Sequence, residues 1–201
     1  MVILDYLPCF NLNSMKRFFL TLLLCVFTLN VFAQLQSPSE FLGYELGTRF
    51  TPNYKVVDYF QYVAAQRSNV THYEYGQTNE LRPLIINMVS AQKNIDNWEQ
   101  IRTDNLKRAN LMEGEPSGDK VGIVWLSYNV HGNEPSCSEA ALLAMHTLAD
   151  PNNSQSKALL EHTVVIIDPA LNPDGRERYV NWYKQQKGRF PNTNPIAREH
   201  Q

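Results

Sequence analysis

Hydrophobic residues fall into three patterns along this chain, and each predicts a different kind of element. Val56, Val57, Tyr59, Phe60, Val63 and Ala64 recur at helical spacing, so residues 54–67 are expected to form a helix that exits through the polar stretch Gln66–Asn69. Val70–Tyr75 alternates and Leu81–Val89 is apolar and β-branched, which predicts two strands joined by a turn at Gly76-Gln-Thr-Asn79. Residues 94–111 space Ile95, Trp98, Ile101 and Ala109 by helical turns among charges, which predicts an exposed amphipathic helix. Glu113–Lys120 breaks that spacing.

The third pattern is nearly continuous. Val121–Val130 and Thr163–Asp168 are apolar runs of strand length, the mark of strands buried on both faces of an α/β sheet. Between them, Ser136-Cys-Ser-Glu139 has capping-box spacing, and Ala140–Leu148 has high helix propensity up to the stop at Asp150-Pro-Asn-Asn153. A short helix is expected near 154–161. Strands alternating with helices predict an α/β fold with a mixed, largely parallel central sheet flanked by helices, whose ligands gather beyond the carboxyl ends of the strands. Ahead of all this, residues 37–52 hold Pro38, Gly43, Gly47 and Pro52 and are expected to be an ordered but irregular lead-in.

The start of the chain changes the picture. Lys16 and Arg17 introduce the apolar run Phe18–Ala33, and Val31 and Ala33 occupy the small-residue positions before a signal-peptidase cut. Residues 15–33 are therefore expected to be a signal peptide cleaved after Ala33, residues 1–14 an upstream extension ahead of Met15, and residues 34–201 the mature chain. Thr21, Thr28 and Asn30 interrupt the run and no basic stop-transfer flank follows, which argues against stable membrane insertion after cleavage. The destination would be the medium or a periplasm. The formal charge of the chain is −2, and losing Lys16, Arg17 and Asp5 brings it to −3. Its cations are scattered rather than gathered on one face, so nucleic acid is not an expected partner. Only Cys137 survives cleavage, so no internal disulfide can form in the mature chain.

Candidate chemistry sits at the carboxyl end of the first apolar run, in His131-Gly-Asn-Glu134. Imidazole and carboxylate are both common zinc ligands, and a catalytic zinc needs three protein groups with a fourth position open. The same residues also fit a strand-end loop and a helix start, where a glutamate is favoured by the helix dipole. A second motif, Asn172-Pro-Asp-Gly175, follows the second apolar run; alone it is a turn sequence.

Taken together and in this order, about forty residues apart, the two motifs resemble the zinc carboxypeptidase family of the carboxypeptidase A type, over roughly residues 40–201. The resemblance implies that His131 and Glu134 are ligands of Zn2+ and that Asn172–Gly175 is a structural turn shaping the cleft wall. Such enzymes remove residues from the carboxyl ends of peptides and proteins: zinc activates a water, a distal glutamate handles the proton, and arginines bind the substrate carboxylate and the oxyanion. The family's third ligand, its general-base glutamate and its Asn-Arg pair all follow later than the Asn-Pro-Asp-Gly turn. The resemblance therefore implies the amino-terminal portion of a catalytic domain, a fragment inactive and poorly stable alone, with its catalytic residues unassigned.

Other candidates for the missing ligand fare less well. His200 lies in a polar tail, His162 precedes a buried strand, His72 and His146 fit strand and helix faces, and Cys137 suits a packed position in a helix. Arg176, Arg178, Arg189 and Arg198 are candidate anion binders, with no motif tying them to the role. Two rival functions stand beside the peptidase: a zinc-dependent deacylase of the aspartoacylase type, which also uses His-Gly-Asn-Glu, and a non-catalytic remnant that binds without turnover.

Overall fold

A computed structural model of the chain describes residues 34–186. The extension, the signal segment, His200, Arg189 and Arg198 lie outside the described residues. Among the described residues, no helix is long and apolar enough to cross a membrane.

Seven helices and four strands follow one another in this span. They are α1 Pro38–Leu42, α2 Asn53–Gln66, β1 Val70–Gln77, β2 Pro83–Val89, α3 Gln92–Asp96, α4 Trp98–Arg108, β3 Gly122–Ser127, α5 Ser136–Ala149, α6 Ser154–Leu160, β4 Thr163–Asp168 and α7 Pro173–Gln186. The strands form one sheet in the order β1-β2-β4-β3. The mixed α/β class expected from the sequence is the class observed. Within the described sheet only β3 and β4 run parallel, while β1–β2 and β2–β4 are antiparallel. The antiparallel share comes from β1 and β2, which close as a tight hairpin instead of crossing over through a helix.

Burial on both faces of β4 organises the core. Val165 and Ile167 join Val56, Phe60 and Val63 of α2 and Leu142 and Met145 of α5 on one face. Val164 and Ile166 meet Met88, Ile101 and Val121 on the other. Each such aliphatic side chain withdrawn from water contributes about 1.5–3 kcal/mol, which is why a strand with no polar face is fixed in the middle. Asn87 is the polar exception on β2: fully buried, it donates from Nδ2 to the Phe60 carbonyl (2.8 Å), and its Oδ1 meets His72 Nδ1 at 2.8 Å.

Several expectations need correction. β3 is not buried on both faces among the described residues: Val124 is 43% and Trp125 56% exposed, because one edge of the strand has no described neighbour. The lead-in contains a helix with a capping box, Ser37 Oγ accepting from the Glu40 amide and the Glu40 carboxylate accepting from the Ser37 amide. Ser136-Cys-Ser-Glu139 makes no such box; α5 starts behind Pro135 with no side-chain cap, because Glu139 is drawn inward by a buried cation. The 94–111 helix breaks at Asn97 into α3 and α4. Finally, Asn172–Gly175 is the cap and first turn of a 14-residue helix, α7, which its turn-forming composition disguised.

Candidate metal centre

The site is built where two neighbouring parallel strands end. Beyond β3 and β4 the loops stay in register: the Tyr128 amide donates to the Asp168 carbonyl (2.9 Å), Leu171 to Tyr128 (3.0 Å) and Asn172 to Asn129 (3.2 Å). The first motif is thereby laid alongside the second. Gly132 then seats directly on the peptide joining Gly175 and Arg176; a Cβ there would come closer than 3.0 Å to three backbone atoms, a separation side chains do not adopt. Asn172 caps α7 by accepting the Gly175 amide on Oδ1 (2.9 Å), with Pro173 at the first helical position.

Asn129 shapes the metal loop. It is 2% exposed and holds φ at 53°, in the left-handed region that asparagine tolerates better than most side chains. Its Nδ2 donates to both the His131 carbonyl (2.7 Å) and the Glu134 carbonyl (3.1 Å), clamping the backbone of both candidate ligands with one amide group. Its Oδ1 accepts from Ser138 Oγ at 3.2 Å, and Ser138 also donates to the Pro169 carbonyl at 2.7 Å. The Glu134 amide closes the turn onto the His131 carbonyl (3.1 Å).

Beneath the loop lies a buried ion pair that sequence reasoning missed. Arg176 is fully buried and Glu139 7% exposed. The guanidinium donates to Glu139 Oε1 (2.9 Å), the Pro135 carbonyl (2.6 Å) and the Thr51 carbonyl (2.7 Å). Glu139 also accepts from the Thr51 amide and hydroxyl, each at 2.7 Å. Arg176 is therefore not exposed to a substrate anion. The clue in the sequence was a lone acid inside an otherwise apolar helix, matched by an arginine directly after the Gly175 seat.

Two further groups define the surroundings. Asp168 is fully buried at the end of β4, accepting from Tyr75 Oη (2.7 Å) and the Ala170 amide (3.2 Å). Burial pushes its carboxyl above the ordinary range, against the lowering pull of those two hydrogen bonds. Burial also raises the Tyr75 hydroxyl, and the neighbouring Asp168 adds to it. Asp174 leaves the motif to tie down the β1–β2 turn, accepting from Thr78 Oγ1 (2.7 Å) and Arg82 Nη1 (2.6 Å). Arg178, exposed, pairs with Glu80 of the same turn.

The candidate ligands stand on this base with their side chains free. His131 and Glu134 are 53% and 58% exposed, and Nδ1 and Oε2 lie 3.6 Å apart. Two donors bound about 2.0–2.1 Å from one tetrahedral zinc sit roughly 3.3 Å apart, so the pair as placed fits a shared zinc. Among the described residues, no third His, Cys, Asp or Glu joins them to make a three-donor group. His162 precedes β4, at the opposite end of the strand from His131. His72 is satisfied by Asn87, and Cys137 is partly buried in the first turn of α5.

A candidate ligand pair, His131 and Glu134, is thus displayed beyond two parallel strands of an α/β fold, on loops held to each other by backbone hydrogen bonds. The zinc carboxypeptidase family profile matches residues 56–195, and the chain belongs to that family. Similar solved structures include carboxypeptidase A from Helicoverpa armigera (21% identity, 70% of this chain and 28% of that one, TM-score 0.49). Others are thrombin activatable fibrinolysis inhibitor (14%, 64% and 27%, TM-score 0.47) and a metallo-carboxypeptidase from Burkholderia cenocepacia (19%, 61% and 27%, TM-score 0.43). The chain spans little more than a quarter of these chains. No curated protein sequence matches it.

Proposed function

We propose that this chain supplies the first two metal ligands, His131 and Glu134, of an exported zinc-dependent carboxypeptidase that hydrolyses the carboxyl-terminal residues of peptides and proteins. The observation that carries the proposal is the 3.6 Å convergence of two exposed donors on a loop whose backbone Asn129 holds at two carbonyls. Bound zinc would polarise the scissile carbonyl and acidify a water. The work of this chain is positioning: Asn129 fixes the carbonyls of both ligand residues, and the Gly132–Gly175 seat ties them to α7.

Two donors are one short of a catalytic zinc site. Hydrolysis therefore needs a third ligand and a general base from polypeptide other than residues 34–186, and those described residues by themselves are expected not to turn over peptides. The test is titration of the metal-free chain with Zn2+, followed by calorimetry, for wild type, His131→Ala and Glu134→Ala. Saturable binding at one site, weakened at least tenfold in each variant, is the expected result. Equal binding by all three proteins overturns the ligand assignment. Export is tested separately, by amino-terminal sequencing of secreted material, which should begin at Gln34.

A further inference from the structure

A cleft of about 440 Å3 opens between the lead-in and the last turn of α7. Three rings wall it, Tyr44, Phe50 and Tyr183, and three cations border it, Arg49, Lys55 and Lys184; no carboxylate lines it. The walls are held in place. Tyr44 donates from its hydroxyl to Thr51 Oγ1 (2.9 Å), which is itself bonded to the buried Glu139. Phe50 packs against Tyr183 with ring centroids 4.8 Å apart, and the Arg49 guanidinium lies 4.5 Å from the Tyr44 centroid. Tyr183 and Lys184 are eight and nine residues beyond Gly175, roughly 13 Å along the helix at about 1.5 Å per residue. The cleft is thus separate from the metal loop and owes nothing to the metal.

Its lining carries one sign of charge only: three cations and no carboxylate, where two other clefts mix both signs. Arg82, Lys93, Arg102, Arg176 and Arg178 each meet a carboxylate. Among the described residues, Arg49, Lys55 and Lys184 meet none, as is true of five other cations, but here three such charges border one cleft. A cleft lined by one sign of charge concentrates the opposite ion. Rings beside those charges add an apolar face on which a planar group can stack, with a stacked arginine ready to cover it.

We infer that this cleft binds a planar aromatic ring bearing an anionic group, a phosphate, sulfate or carboxylate, with the ring against Tyr44, Phe50 and Tyr183 and the anion among Arg49, Lys55 and Lys184. The probe is phenyl phosphate, titrated into the 201-residue chain by calorimetry, with amide and ring NMR shifts to locate it. Phenyl sulfate and benzoate run in parallel rank the anion, and inorganic phosphate and phenol separate the contributions of charge and ring. One saturable site is expected, with shifts at Phe50 and Tyr183 and affinity falling about tenfold as salt rises from roughly 20 to 200 mM. Arg49→Ala and Lys184→Ala should each weaken binding about 3–10-fold, and Lys184→Glu should abolish it. The side chains exchanged are at the surface, so melting temperatures should stay within about 2 °C. Absence of saturable binding, binding indifferent to these variants, or inorganic phosphate binding as tightly as phenyl phosphate would each overturn the inference.

Discussion

Replacing Gly132 by alanine tests the central geometric claim, that the two motifs are locked by backbone contact. The added methyl would meet the Gly175 Cα and carbonyl carbon and the Arg176 nitrogen, all closer than 3.0 Å. None of these atoms belongs to a flexible side chain. Relief requires moving either the metal loop, which Asn129 holds at two carbonyls, or the start of α7, which Arg176 anchors to Pro135 and Thr51. Forced overpacking of this kind costs about 1–3 kcal/mol, and anchoring on both sides places the expected cost at about 2–3 kcal/mol. For a chain of this size that lowers the melting temperature by roughly 4–12 °C. Thermal unfolding followed by circular dichroism measures the loss, and zinc titration of the same protein should show weaker binding, since the displaced loop carries both ligands. A Gly132→Ala protein that melts within about 1 °C of wild type and binds zinc as well would refute the claim that this seat sets the site.

Three other perturbations probe the base of the site. Glu139→Ala strips the hydrogen-bonded carboxylate from a fully buried guanidinium and should cost about 3–5 kcal/mol, read as a shift in the urea midpoint; a loss below 1 kcal/mol would mean that water reaches Arg176. Asn129→Gly keeps the left-handed backbone and loses the clamp, whereas Asn129→Ala loses both, so in chemical denaturation alanine should be worse than glycine by about 1–2 kcal/mol. Asp168 has a folded-state pKa raised above its ordinary 3.8, so its stabilising contribution is complete below that value and is lost as pH rises through the folded pKa. Asp168→Asn cannot ionise, and its stability relative to wild type should therefore improve from pH 4 to pH 7; a difference that stays constant with pH would exclude ionisation of Asp168 as the cause.

Elements with a single period were legible in the sequence, and those shaped by tertiary partners were not. The helical spacing of Val56 to Ala64 gives α2 to within one residue at either end, and the apolar run Thr163–Asp168 coincides with β4, because burial of a repeating face dominates there. Ser136-Cys-Ser-Glu139 misled because spacing reveals which local bonds are possible but not which distant cation will compete for the carboxylate. Asn172–Gly175 misled in the opposite sense: residues that favour a turn are also those that cap a helix and occupy its first position. Of the candidate site, His131 and Glu134 could be proposed from their place after a strand together with the Asn172–Gly175 motif. Asn129, Thr51, Glu139 and Arg176 could not, since their roles depend on contacts across as many as 125 residues of sequence.

The buried pair explains why such a costly arrangement sits beneath the metal loop. A well-packed apolar group of similar volume would hold Arg176 and Glu139's space at equal or lower free energy. It could not, however, donate to Pro135, Thr51 and a carboxylate at once. Arg176 joins the lead-in, the end of the metal loop, α5 and α7 through one planar group with fixed donor directions. Rigidity is thus concentrated below His131 and Glu134, whose own side chains stay exposed. Held in backbone and exposed at their tips, the two candidate donors already lie 3.6 Å apart, close to the separation a shared cation would need.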